Sequence, residues 1–337
     1  MQSLHEILKR NVAVVWVTKS LILTNTIVFG AMLIYGAGLW HSQNIVQLAW
    51  GANFGPATQD GQWWRLASAM FLHFGALHLI LNMWALWDAG QLVERMYGHV
   101  RFTSIYLVSG LFGNLVSLVF QGNSAVSGGA SGAIFGIYGA LLIYLWFNRL
   151  EISLREFRWL FGGATAFSLA TIVFGFIVPG IDNSAHVGGF TAGILTSIFL
   201  LKPINISIVT KKLSYGAIIL LAIATSLLFQ NMPKPKYLWR DELLLQNKIN
   251  EFTFQEQEIN RSWLEILHEQ KKSGLSLNEL AGKVETKISE PYEDSFEKLS
   301  QLPSNAALPS AVKLKSLIAY TKQRKEESKA LAEKFRE

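Results

Sequence analysis

An all-α membrane protein, with seven spans and a helical extramembrane tail, is the fold this sequence predicts. Three observations carry that expectation. The chain of 337 residues is 50% hydrophobic with a positive mean hydropathy. Its charges are crowded at one end: residues 1–230 hold 12 Lys and Arg and 7 Asp and Glu, and residues 231–337 hold 18 and 17. Apolar runs of about 20 residues, the length that crosses a bilayer as a helix, recur through the first part. The uneven charge separates a membrane region from a tail of soluble character. The absence of cysteine excludes disulfides and cysteine-based metal sites. The net charge of +6 comes mostly from loops beside the membrane, so it is no argument for nucleic-acid binding.

Residues 1–20, with Lys9, Arg10 and Lys19, read as a partly amphipathic lead-in at a membrane surface. They lack the short apolar segment and cleavage site of a secretory signal. Spans are expected at about 21–40, 70–93, 102–121, 127–147, 159–178, 184–201 and 213–230, the last preceded by a linker from 203. Residues 41–69 mix polar residues, Gly and Pro with Trp50, Trp63 and Trp64, and read as a loop at headgroup level.

The tail, 231–337, opens on Pro233-Lys234-Pro235. Ser276-Leu277-Asn278-Glu279 has the spacing of a capping box. It leads a helical stripe of Leu277, Leu280, Ala281, Val284 and Ile288; Ile259, Trp263, Ile266 and Leu267 form another. From Ser310 the chain reads as one long helix whose Lys/Glu alternation is a solvated face.

Lys9, Arg10 and Lys19, then Arg95 and Arg101, then Arg149, Arg155 and Arg158, then Lys202, Lys211 and Lys212 fall on alternate sides of the expected spans, and the opposite loops contain only Arg65. By the positive-inside rule the N-terminus is cytoplasmic and the tail extracytoplasmic.

Ser131 lies in Gly129-Ala130-Ser131-Gly132, followed by an apolar run. A lone serine in an apolar helix is ordinarily bland, its hydroxyl bonded to the carbonyl one turn back. A second stretch, Ala185-His186-Val187-Gly188-Gly189, changes that reading. Serine and histidine on separate spans, both a few residues below an outer loop, suggest a nucleophile and its base. His78 and Asn82, four apart on one helical face, offer two donors where an oxyanion would form, with the Ser131 backbone N–H as a third; alone, such a pair more often merely links helices. Gly128, Gly132, Gly136 and Ala140 recur every fourth residue, and Gly189 and Gly193 follow His186. Such ladders bring helix backbones close. Asp182 precedes His186 by four but is expected to be solvated, and Asp88 lies ten residues from His78. The expectation is therefore a Ser–His dyad oriented by packing. His73 and His78, five apart, diverge around a helix, and no H-E-x-x-H pattern occurs, which argues against a metal centre. No cofactor is expected.

At these residues the chain resembles the rhomboid family of intramembrane serine proteases. Trp64-Arg65 resembles the family's loop pair, His78 and Asn82 its H-x-x-x-N, and Gly90, Glu94 and Gly98 its G-x-x-x-E-x-x-x-G. Gly129-Ala130-Ser131-Gly132 resembles G-x-S-G, and Ala185 to Gly189 with Gly193 resembles A-H-x-x-G-x-x-x-G. Phe135 stands where many bacterial members carry tyrosine. The resemblance implies a six-span core at 21–202 in a bacterial inner membrane, and substrates that are single-span membrane proteins. It leaves span seven as an addition, the tail uncovered and the oligomeric state open. Water is expected to reach Ser131 through a pocket lined by His78, Asn82 and the 179–184 loop. Span five, with Trp159, Phe161, Phe167, Phe174 and Phe176, is a candidate lateral gate or plain lipid contact. The rival readings are a non-catalytic client-binding module of rhomboid type and, more weakly, a transporter, for which no internal repeat of spans is visible.

Overall fold

The computed structural model describes Leu8, residues 12–201 and residues 208–337, the side chains of 208–210 apart. Lys9, Arg10, Lys202 and the linker residues 203–207 lie outside the described residues. The chain divides into two compact units, Met1–Pro235 and Lys236–Glu337. Among the described residues both are helical, and the only β-type pairing is an isolated bridge between Asn53 and Ser127.

In the first unit, α1 is Trp16–Ile34 and α2 to α4 are the short turns Asn44–Ala49, Gly55–Thr58 and Arg65–Ser68. Then come α5 (Ala76–Tyr97), α6 (His99–Gln121), α7 (Ser131–Phe147), α8 (Leu154–Ile177), α9 (Asn183–Leu200) and α10 (Ile208–Gln230). α1, α6, α8 and the Lys211–Gln230 part of α10 are long and apolar enough to cross a membrane, and α5 qualifies together with the Arg65–Phe71 segment. The fourth and sixth of the expected seven differ: α7 is apolar but has 17 residues, and α9 opens on polar residues. Both are packed among neighbouring helices, so α9 needs less apolar surface of its own, whereas α7 is apolar throughout and falls short only in length. In contrast, α8 and α10 turn most of their surface outward.

Two expected boundaries move, and one expected loop is helical. The first span begins five residues earlier than expected, so Lys19 lies inside α1 and not before it. Residues 70–75 do not continue the helix expected for the second span: the chain bends by 92° between Phe71 and Ala76. The loop 41–69 is built of short helices, pinned by Arg65, whose guanidinium donates to the carbonyls of Leu48 and Ala52 and to Gln62 Oε1.

α5 and α6 are joined by one residue, Gly98, at φ +79°, a region where only glycine is relaxed. Beside this joint the fully buried Glu94 accepts from the backbone N–H groups of Val17 and Thr18 and from the Thr18 hydroxyl, and contacts His99 Nδ1 at 2.6 Å. The carboxylate thus holds the free N–H groups at the start of α1, a favourable end for negative charge. The core of this unit lies between α5, α6 and α7, around Leu86, Val93, Phe102, Ile105, Tyr106, Ile137 and Leu145.

The second unit comprises α11 (Trp239–Ser273), α12 (Leu277–Val284), a π-helical turn (Glu285–Ser289), α13 (Glu290–Ser300) and α14 (Ala311–Arg336). α11 ends on Gly274 in the left-handed conformation, and α12 opens with the reciprocal Ser276–Glu279 capping box. The π turn leads into Pro291, which lacks the N–H a regular helix would use. Ile259, Ile266, Leu280, Val284, Ile288, Tyr292 and Ala332 form the core. Two stripe residues expected inside are exposed: Leu267, one 100° step past Ile266, and Leu277, the first residue of α12.

Candidate active site

Ser131 is the first residue of α7, and Gly129 before it has φ +143°. That conformation suits only glycine, and a β-carbon there would lie 3.0 Å from Nε2 and Cε1 of the His78 ring. The glycine therefore admits the imidazole beside the serine. His186, 5% exposed, sits in the first turn of α9, with Nε2 2.9 Å from Ser131 Oγ. Phe135 stacks on the His186 ring, centroids 4.4 Å apart and planes 14° apart. Among the described residues no carboxylate hydrogen-bonds to His186 Nδ1.

What lets the two helices approach is the removal of side chains. A β-carbon on Gly189 would overlap the carbonyl of Gly132, and one on Gly193 would overlap Gly136. Gly136 also faces Ser109 of α6, Gly113 of α6 lies against Ala185 and Gly189, and Gly188 lies against Val116. So α6, α7 and α9 meet at backbone distance around the dyad. Sequence spacing found Gly132, Gly136, Gly189 and Gly193 but left Gly113, Gly139 and Gly188, which lie in equally close helix contacts, out of its ladders. Gly128 is not a rung of the ladder: it precedes α7 and makes ordinary contact with Ala69 and Leu72.

His78 and Asn82 share one face of α5. Phe74 N–H donates to His78 Nδ1 at 3.4 Å, which leaves the ring proton on Nε2, the nitrogen nearer Gly129. Asn82 Nδ2 donates back to the His78 carbonyl at 2.8 Å. His73, expected to diverge from His78, meets it edge-on at 5.0 Å, because the bend at 72–75 breaks the assumed helix. Among the described residues no three His, Asp or Glu side chains gather as metal ligands.

Asp182 is the largest correction. It is half-buried rather than solvated, and it caps α9 by accepting from Ala185 N–H at 3.0 Å. Its other oxygen accepts from the hydroxyls of Ser117 on α6 and Ser127 in the loop leading to Ser131. Ser127 in turn exchanges both backbone hydrogen bonds with Asn53 at 2.8 Å, and the Asn53 side chain donates to the Asn114 carbonyl. The loop that carries the serine, the helix that carries the histidine and the 41–69 segment are therefore one hydrogen-bonded frame. In the 179–184 stretch, Asn183 turns toward α8 and donates to the Ile172 carbonyl. Of the α8 aromatics, Phe161 and Phe167 pack inward, while Trp159, Phe174 and Phe176 face out.

Fold and site together define a class: helical membrane proteins that hold a hydroxyl and an imidazole in contact within an apolar bundle. The family model described as "Rhomboid domain" matches residues 60–203. The chain is 38% identical to "Rhomboid protease GluP" of Bacillus subtilis (strain 168) over 190 residues, 56% of this chain and 36% of that protein. It is 35% identical to "RHOMBOID-like protein 4" of Arabidopsis thaliana over 163 residues, 47% and 39% of the two chains. With the YdcA protein of Bacillus subtilis (strain 168) it shares 35% identity over 152 residues, 45% of this chain and 73% of that one. The chain belongs to the rhomboid family and is an integral membrane protein. Its match spans less than half the length of GluP and of the Arabidopsis relative.

Proposed function

We propose that this protein is an intramembrane serine endopeptidase that cuts single-span membrane proteins in or near their spans. The observation that carries the reading is the 2.9 Å contact between His186 Nε2 and Ser131 Oγ. In this reading the hydroxyl donates to Nε2 of a His186 that carries its proton on Nδ1. As Ser131 Oγ attacks the substrate carbonyl, the imidazole takes its proton. The new C–O bond leaves negative charge on the former carbonyl oxygen. His78 Nε2–H and the Ser131 backbone N–H meet that charge, the latter at the positive end of α7. Asn82 keeps one amide N–H beyond its bond to His78 and is the further donor. The imidazolium then gives its proton to the leaving amine as the C–N bond breaks, and an acyl-enzyme remains. Water, losing a proton to His186, attacks the ester, and the serine leaves with that proton. Phe135 orients the ring by stacking, in the place of the carboxylate of a triad.

A helical peptide bond is hydrogen-bonded and hidden, so the substrate must unwind locally, which Gly or Pro makes easiest. The catalytic core is 21–202, with span seven and the 231–337 tail appended. The N-terminus faces the cytoplasm and the tail the outside of a bacterial inner membrane, and substrate passes laterally beside α8. Ser131→Ala tests the reading. Cleavage of a model span should be lost while binding remains, and a fluorophosphonate should label the wild type alone. Undiminished processing by the variant, or a wild type that neither cleaves nor labels, would favour a client-binding chaperone.

A further inference from the structure

We infer that Asp88 and Tyr138 form a recognition site at membrane depth for a basic side chain on the span being cut. The inference rests on the proteolytic reading above. Asp88 lies near the middle of α5 and is exposed, and its carboxylate accepts from the Tyr138 hydroxyl at 3.2 Å. An ionisable side chain in the middle of a span is costly and marks a pathway or a partner. The catalytic steps make no use of this one.

Its surroundings indicate which partner. Leu77, Leu81, Trp84 and Asp88 follow one another at helical spacing and are all exposed, so one face of α5 is uncovered along the half that begins at its N-terminus. His78 and Asn82 border that face. A substrate helix laid along it, with its scissile bond at Ser131, would bring a residue roughly ten positions away opposite Asp88, about 15 Å of helix rise. On the far side Phe167 of α8 stacks on the Tyr138 ring at 4.5 Å and meets Trp84 edge-on at 6.0 Å. The acid thus stands beside an aromatic wall that joins α5, α7 and α8. A carboxylate offers only acceptors, and at this depth the group that gains most from it is a hydrogen-bonding cation. Lys or Arg in a substrate span would find here the counter-charge that lipid does not supply.

The test uses the full-length protein in liposomes and a set of model spans. One is wholly apolar, and the others carry a single Lys scanned along the span. The wild type should cleave the span with Lys about ten residues from the cut about tenfold faster than the apolar parent. The preference should repeat with helical period along the scan. Asp88→Asn keeps an acceptor for Tyr138 but loses the charge, and should bring the ratio of the two rates to about one. Asp88→Lys should transfer the preference to a span carrying Glu at the same position. A flat scan in the wild type overturns the proposal, as does a ratio that Asp88→Asn leaves unchanged. If no span is cleaved and no phosphonate label is taken up, the proteolytic reading falls and this one with it.

Discussion

The two units of the chain bring helices together by opposite means. Around Ser131, α6, α7 and α9 touch through positions with no side chain, Gly113, Gly132, Gly136, Gly189 and Gly193. In the tail, α11 to α14 touch through large side chains, Tyr292, Ile288, Val284 and Ile266, with ion pairs at the rim such as Lys283–Glu269 and Lys325–Glu293. The surroundings explain the contrast. Lipid is as apolar as leucine, so spans gain from close packing and polar contacts and not from burial. Water drives apolar stripes together and leaves charge outside. Only the first arrangement fixes distances by backbone contact, and that is where the hydroxyl and the imidazole meet.

Four substitutions test this contrast. Tyr292→Ala empties a fully buried position and should cost the tail about 3–5 kcal/mol. Limited proteolysis of the full chain would show it opening, while phosphonate labelling of Ser131 stays intact. Gly189→Ala adds one carbon where the Gly132 carbonyl leaves no room, so α7 and α9 must part. Labelling and cleavage should fall about a hundredfold, the loss that follows a displacement of an ångström. Asp182→Ala removes the cap of α9 and the acceptor shared by Ser117 and Ser127; labelling should slow about tenfold with KM little changed. Glu293→Gln should have the smallest effect. Lys325 first, then Lys329, hold this half-buried carboxyl at about 2, below its ordinary 4.5. A lowered value means that the contribution is present above the ordinary value and lost as pH falls toward about 2. The variant should leave the tail's melting point nearly unchanged at pH 7 and remove its small decline between those values, most visibly at low salt.

The parts legible in sequence are those with a local period. Apolar runs gave the long helices, a spacing of four gave Gly132 and Gly136, and two short motifs on separate helices pointed to Ser131 and His186, whose side chains the fold brings into contact. Ser276 and Glu279 showed the capping box because both partners lie within one turn. What escaped depends on distant partners. Nothing near Asp182 says that Ser117 and Ser127 will reach it from 65 and 55 residues away. Nothing near Glu94 says that it will receive the first amides of α1. The bend before α5 was hidden because the apolar run continues through it, and it is this bend that turns His73 onto His78.

The 17 residues of α7 have a consequence of their own. A helix of that length spans about 25 Å, while the hydrocarbon layer is about 30 Å thick. The mismatch must be absorbed by local thinning of the lipid or by neighbours that shield the deficit. Because Ser131 is the first residue of that helix, the shortfall falls on the reactive end if the other end is anchored. If the proposed proteolytic function holds, acyl-chain length becomes a control on catalysis: longer chains deepen the layer above the hydroxyl, and shorter ones bring water to it.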